Sequence, residues 1–323
     1  MTLAQHFLLS AAARTLSLAA IYKGGEEAAY NTFKGLRWPQ TDGEPVCPHC
    51  GSLDAYSVTT RRRFKCADCG RQYSVTSGTI FHSRKKSFTD LLAAACIIAN
   101  GAKGISALQL ARDLCCQHKT AFVLAHKIRE AMASEIEAET PDGHVEVDGA
   151  YFGGSIRPAN RKEDRIDRRR VEHQTGKRRV VIAFRERGGR TFTHVRESEA
   201  EGVNIALATV EKQTTIYADE ASHWDVLAAY WPTRRINHSE AYSDLDGGHT
   251  NNAESFFSRL RRMVDGQHHH VSARYLHQYA AHAAWLEDHR RESNGAICKR
   301  AIALGLAHKK SAAWCGYWQK GPG

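Results

Sequence analysis

The chain has 323 residues, 42% of them hydrophobic, and 45 Lys and Arg against 35 Asp and Glu give it a formal charge of +10. That length allows two or three domains with real cores, and the hydrophobic share is that of a soluble globular protein. The excess of base suits a polyanionic partner, nucleic acid before a membrane.

The apolar run from Leu3 to Ala20 is broken by Gln5, His6, Ser10, Arg14 and Ser17. It has no basic leader ahead of an apolar core and is too polar to span a bilayer, so the expectation is a helix in a cytoplasmic protein with no membrane partner. Residues 43–79 are rich in Cys, Gly, Ser and Arg and poor in aliphatics, and such a segment cannot build a core unaided. It holds Cys47-Pro-His-Cys50 and Cys66-Ala-Asp-Cys69, two CxxC pairs separated by fifteen residues, each followed by Gly (Gly51, Gly70). Two residues between thiolates let both sulfurs face one tetrahedral ion, and a glycine supplies the backbone angles the turn then needs. A structural Zn²⁺ on Cys47, Cys50, Cys66 and Cys69 also explains how this segment folds. The other cysteines, Cys96, Cys115, Cys116, Cys298 and Cys315, are scattered through helical patterns and read as reduced thiols. Between the pairs, Arg61, Arg62, Arg63 and Lys65 surround Phe64, a basic and aromatic hairpin suited to DNA phosphates.

From Ser87 the pattern turns helical: Phe88–Ala99, Ile105–Leu114 and His118–Met132. The last two resemble a helix-turn-helix, whose second helix would offer His118, Lys119, Thr120, His126, Lys127 and Arg129 for groove and phosphate contacts. A strand opens at His144, where Val145, Val147 and Tyr151 alternate with Glu146 and Asp148. A polar loop, 157–177, precedes strands over 178–184 and 191–195, joined by Arg187-Gly188-Gly189-Arg190. Then come a helix over 200–211, a strand over 214–218, a helix over 222–230 closed by Pro232, a short strand over 235–238, and a helix over 252–264. Three strands, a helix, a strand, a helix, a strand and a helix is the order of a ribonuclease H-like α/β domain, a mixed sheet flanked by helices.

Phosphodiester cleavage with two metal ions needs carboxylates converging on one spot, since the ions sit about 3.5 to 4 Å apart. Asp148 lies in the first strand, Asp219 ends Thr215-Ile216-Tyr217-Ala218, and Glu254 opens the last helix. On that helix Glu254, Ser258 and Arg261 form a stripe beside the apolar one, which sets a cation two turns from the carboxylate. The near rivals are Glu146, Glu220, Asp244 and Asp246. Three consecutive histidines, His268 to His270, have a spacing that suits neither helix nor strand ligation and read as surface.

The string Val147-Asp148-Gly149-Ala150-Tyr151-Phe152-Gly153-Gly154, then Tyr217-Ala218-Asp219, Asn237-His238-Ser239, and Gly248-His249-Thr250-Asn251-Asn252-Ala253-Glu254-Ser255-Phe256-Phe257-Ser258-Arg259-Leu260-Arg261-Arg262 resembles bacterial insertion-sequence transposases of the 1595 family. The likeness, zinc ribbon included, covers about residues 45–290. It implies that Asp148, Asp219 and Glu254 are the catalytic Asp-Asp-Glu, with Mg²⁺ (or Mn²⁺) held on their hard oxygens, and that Arg261 is the downstream basic residue. The sequence departs from the family in reading Asp-Gly-Ala-Tyr where relatives tend to have Asp-Glu-Thr-Tyr. Its doubled Asn leaves Asn252 as an alternative third ligand.

Ten Lys or Arg against four acids between Arg157 and Arg179 form a second basic stretch suited to gripping DNA, with Arg168, Arg169 and Arg170 at its centre; Arg259 and Arg262 add to the catalytic helix. The expected organisation is an N-terminal helical segment (1–42), a zinc ribbon (43–80), a helical DNA-binding linker (87–135), a ribonuclease H-like domain (142–290) and a C-terminal tail (291–323). The expected activity is metal-dependent cleavage at transposon ends and transfer of the 3′-hydroxyl into target DNA. Two ends must be brought together, so a homodimer or larger assembly on double-stranded DNA is expected. The alternatives are a zinc-ribbon DNA-binding regulator with an inert catalytic domain and a structure-specific nuclease.

Overall fold

The computed structural model describes residues 6–154, 159–166, 176–236 and 249–319. They fall into two compact units, one taking the described residues up to Glu135 and those from His289 onward, the other comprising Ile136–Asp288.

In the first unit the N-terminal apolar run is not the helix expected of it. It makes two single 3-10 turns, Phe7–Leu9 and Ala11–Ala13. Ser17 then adopts extended backbone and accepts the Ala20 N–H, so α1 (Leu18–Arg37) starts only there and is kinked at Gly25. A serine that can cap favours ending the extended run over lengthening the helix. Phe33 of α1 stacks edge-on against Phe81 and against Phe88 of α2 (Phe88–Asn100). Because α2 is apolar nearly all round it is buried nearly all round, packed against α1 and against α8 (Asn294–Ala307).

Strands β1 (Ala55–Val58), β2 (Arg63–Cys66) and β3 (Gln72–Tyr73) form an antiparallel sheet in that order. On β2 the alternation is strict: Arg63 and Lys65 face solvent while Phe64 and Cys66 are buried. Phe64 packs with Trp38 and Tyr73 at ring separations of 5.7 and 5.5 Å. The ribbon thus borrows Trp38, just beyond α1, for its small aromatic core.

Helices α3 (Ala107–Asp113) and α4 (His118–Glu137) are joined by residues 114–117. His118 and Lys119 are exposed and Thr120 and Lys127 half-buried, but His126 and Arg129 are buried. Those two cannot reach a DNA groove. Trp314 covers that face, 4.3 Å from the His126 ring and 5.8 Å from Phe122, and Arg129 turns inward to donate to the Ile105 carbonyl.

The second unit is built on a mixed five-stranded sheet flanked by helices, ordered β6-β5-β4-β7-β8: β4 (His144–Phe152), β5 (Arg179–Glu186), β6 (Thr191–Arg196), β7 (Thr215–Ala218) and β8 (Thr233–Arg235). Pairing is antiparallel through β4, β5 and β6 and parallel through β4, β7 and β8. Helix α5 (Glu201–Thr209) follows β6. The segment expected as a helix after β7 is a 3-10 helix, Ser222–Ala229, ended before Pro232. Helix α6 (Asn251–Arg261) runs on into a π-helical turn, Arg262–His268, and α7 (Ala273–Asp288) closes the unit. The motif residues Asn237, His238 and Ser239 lie outside the described residues. No described helix is long and apolar enough to cross a membrane.

Candidate metal-dependent active site

The four cysteines of the ribbon converge. Cys47 Sγ lies 3.7 Å from Cys69 Sγ, Cys50 Sγ lies 3.5 Å from Cys66 Sγ, and all four fall within 4.8 Å of one another. A tetrahedron with Zn–S bonds of about 2.3 Å has edges of about 3.8 Å, close to the two shorter separations, so the donor set suits zinc. Gly51 and Gly70 have φ of 77° and 69°, which carries the chain through the turn after each pair. The ribbon therefore provides a structural Zn²⁺ site.

The second cluster is made of carboxylates. Asp148 sits in β4, the central strand of the sheet, and Asp219 immediately follows its parallel neighbour β7. A third carboxylate joins them that sequence reasoning missed: Glu199, in the connection between β6 and α5. Oxygens of Asp148, Glu199 and Asp219 lie within 4.8 Å of one another. Asp148 accepts the Gly149 N–H at 2.7 Å, and Asp219 accepts the Ala221 N–H at 3.1 Å. Burial pushes Asp148 up to about 6, with the charges of Asp219 and Glu254 adding to the rise against the Gly149 N–H and Arg261. Burial, Asp148 and Asp219 push Glu199 up to about 7. Three half-buried carboxylates at this spacing repel one another, and a divalent cation relieves that repulsion. His223 stands beside them, with Nε2 3.9 Å from Glu199 Oε1.

Glu254 lies in the first turn of α6, exposed and outside this tight group, yet its charge reaches Asp148. Ala253, Phe256, Phe257 and Leu260 bury the other side of the helix. Arg261 is exposed, 6.0 Å from the Phe257 ring, and its charge also reaches Asp148. Asn252 is turned elsewhere: its side-chain amide donates to Glu146. Of the remaining rivals, Glu146 is fully buried and occupied by that contact and others, Glu220 is exposed, and Asp244 and Asp246 lie outside the described residues.

The expected DNA contacts divide. Arg61, Arg63 and Lys65 are exposed, and a groove of about 500 Å³ lined by Arg61, Arg62, Arg63, His82 and Arg84 opens beside the ribbon. Arg62 turns back instead, 3.0 Å from Glu26 and 3.1 Å from Glu27, with its guanidinium 5.3 Å from the Tyr30 ring. Burial alone would raise Glu26, but the Thr89 and Phe88 amides, the Thr89 hydroxyl and Arg62 together hold it below its ordinary value. Lys119 lies over the Trp318 ring at 5.1 Å. Arg259 of α6 is paired with Glu287 at 2.6 Å, and Arg262, just beyond the helix, donates to Ser258 Oγ at 2.8 Å. Arg168, Arg169 and Arg170 lie outside the described residues.

Two family models match the chain. One, described as an ISXO2-like transposase domain, matches residues 141–288. The other, described as a transposase zinc-ribbon domain, matches residues 24–72. No curated protein and no solved structure matches it.

Proposed function

Since the chain belongs to the IS1595 family of insertion-sequence transposases, we propose that it cuts DNA at transposon ends and joins the freed 3′-hydroxyls to target DNA. The carrying observation is the convergence of Asp148, Glu199 and Asp219 inside the segment matched as a transposase domain, with the charge of Glu254 bearing on the same spot. The strand order and the helix after the third strand support a ribonuclease H-like reading of this unit.

Two Mg²⁺ or Mn²⁺ ions held by Asp148, Asp219 and Glu254, with Glu199 beside them, would stabilise the charge on the attacking and leaving oxygens. The oxygen-only donor set suits hard cations. The chain's own part is positional. Strands β4 and β7 hold Asp148 and Asp219 rigidly, and α6 brings Glu254 and Arg261 alongside, the arginine placed to take a phosphate. In the first step water attacks the phosphorus at the transposon end and the 3′-oxygen leaves. In the second, that 3′-hydroxyl attacks a target phosphodiester and displaces a target 3′-oxygen. The ribbon's exposed Arg61, Arg63 and Lys65, with Lys119 and Lys127 of α4, hold the duplex backbone. Two such chains, or more, bring two ends together.

The test incubates full-length protein with labelled transposon ends, Mg²⁺ and a target plasmid. Wild type should nick and join. Asp148→Asn and Glu254→Gln should each lose cleavage by orders of magnitude while end-binding stays. Cleavage without joining would fit a nuclease, and binding with neither would fit a regulator. If Asn252→Ala abolishes cleavage while Glu254→Gln keeps it, the third ligand is Asn252.

A further inference from the structure

Glu146 stands two residues before Asp148 on the central strand and has no solvent exposure. A buried carboxylate is costly unless its oxygens are occupied, and these are. Oε2 accepts the backbone N–H groups of Asn252 and Ala253 at 2.8 and 3.0 Å, and Oε1 accepts Asn252 Nδ2 at 2.9 Å. Arg187 Nε donates to Oε1 at 3.0 Å, and His249 Nδ1 lies 3.0 Å from the same oxygen.

Helix α6 brings no side-chain cap of its own, because Thr250 at its N-terminus makes no capping bond. Its first-turn amides would otherwise lack partners. The strand therefore supplies the cap, and the negative charge sits where the helix dipole favours it. Arg187 extends the network: Nη2 donates to the His249 carbonyl at 2.6 Å, and its guanidinium lies 3.6 Å from the Tyr217 ring centroid. Tyr217 is also the register partner of Glu146 across the parallel β4–β7 pair. The three joined positions stand in one relation to the site. Glu146 is two before Asp148, Tyr217 two before Asp219, and Asn252 two before Glu254.

We propose that Glu146 is a positioning residue: by capping α6 from the central strand, it sets Glu254 against Asp148 and Asp219. The inference rests on those carboxylates being the reactive site. Displacing a reacting constellation by about 1 Å can cost about 100-fold in rate. A role exerted through Glu254 must vanish once Glu254 is disabled.

The experiment uses full-length protein and labelled transposon ends at saturating Mg²⁺. Glu146→Gln should slow cleavage about tenfold or more, yet change it by less than about twofold in a Glu254→Gln background, because coupled residues are non-additive. Mn²⁺ affinity measured by electron paramagnetic resonance should fall no further than it does in Glu254→Gln, since Asp148, Glu199 and Asp219 are untouched. Asn252→Ala removes only the side-chain bond and should slow cleavage about threefold. That variant carries the test if Glu146→Gln does not fold, and a wild-type rate from it would then overturn the proposal. Full cleavage by Glu146→Gln overturns it, as does an equal loss in both backgrounds or a loss of Mn²⁺ affinity greater than that of Glu254→Gln. Cleavage by Asp148→Asn would instead remove the site reading, and this inference with it.

Discussion

Glu199 holds its carboxylate where a side chain on Gly149 would have to go: a β-carbon on Gly149 would lie 2.5 Å from both Glu199 Cδ and Oε1. The bare glycine in the middle of β4 is what lets a carboxylate from the β6–α5 connection close over the strand and reach Asp148. Gly149→Ala should therefore push Glu199 away and lower divalent-cation affinity about tenfold, within the range seen when the surroundings of metal ligands are altered. Titrating Mn²⁺ into purified protein measures this, and an unchanged affinity would mean that Glu199 is a bystander.

Zinc should behave as part of the fold of the ribbon. One equivalent should co-purify with the protein, and replacing any of Cys47, Cys50, Cys66 or Cys69 with Ser should abolish it and unfold residues 43–80. The second unit forms its own core, so Mn²⁺ binding at the carboxylates should persist in such a variant. Folded protein free of zinc by elemental analysis would contradict this.

Neighbouring arginines should separate into two roles. Arg61→Ala and Arg63→Ala should each weaken DNA binding across sequences and reduce the salt slope by about one. Arg62→Ala should leave the slope nearly unchanged and lower the melting temperature instead, because Arg62 is spent on Glu26, Glu27 and Tyr30. Fluorescence anisotropy over a salt series tells them apart; a slope lost in Arg62→Ala alone would reverse the assignment.

The carboxylate cluster should make stability depend on pH in a definite direction. Asp148 and Glu199 titrate at about 6 and about 7 in the folded chain, against about 4 when unfolded. Between those limits the folded state binds more protons, so without added divalent cations stability should fall as pH rises from about 4 to about 7. Above that range the contribution is constant. Added Mg²⁺ binds the ionised form and should offset the loss. Melting curves of wild type and Glu199→Gln across this range provide the check: a steeper decline in the variant would refute the sign.

Much of the second unit was legible because strand and helix periods are strong there. The alternation of Val145, Glu146, Val147 and Asp148 marks β4, and Ala253, Phe257 and Leu260 mark the buried side of α6. Glu199 was not legible, since Arg196-Glu197-Ser198-Glu199-Ala200-Glu201 offers three glutamates that local chemistry cannot rank. The available clue was indirect: a glycine inside a strand often marks the close approach of another group. The burial of His126 was hidden for a different reason. A helical pattern reports which side is apolar, and says nothing of Trp314, remote in sequence, that covers the side left polar. Arg62 reads the same as its neighbours until Glu26 is found beside it.

The first unit is assembled from both ends of the sequence, and this sets an order of events during synthesis. Helix α2 presents its apolar surface early, but α8, which lies against it with Cys298, Ala301 and Ile302 fully buried, leaves the ribosome only after α7 has been made. The residues Ile136–Asp288 can therefore finish folding while the earlier segment still waits. A translation product that stopped at Asp288 would possess the complete carboxylate cluster on a chain whose ribbon-bearing half lacks its last packing partner. Premature termination would thus part the carboxylate cluster from a finished ribbon-bearing half.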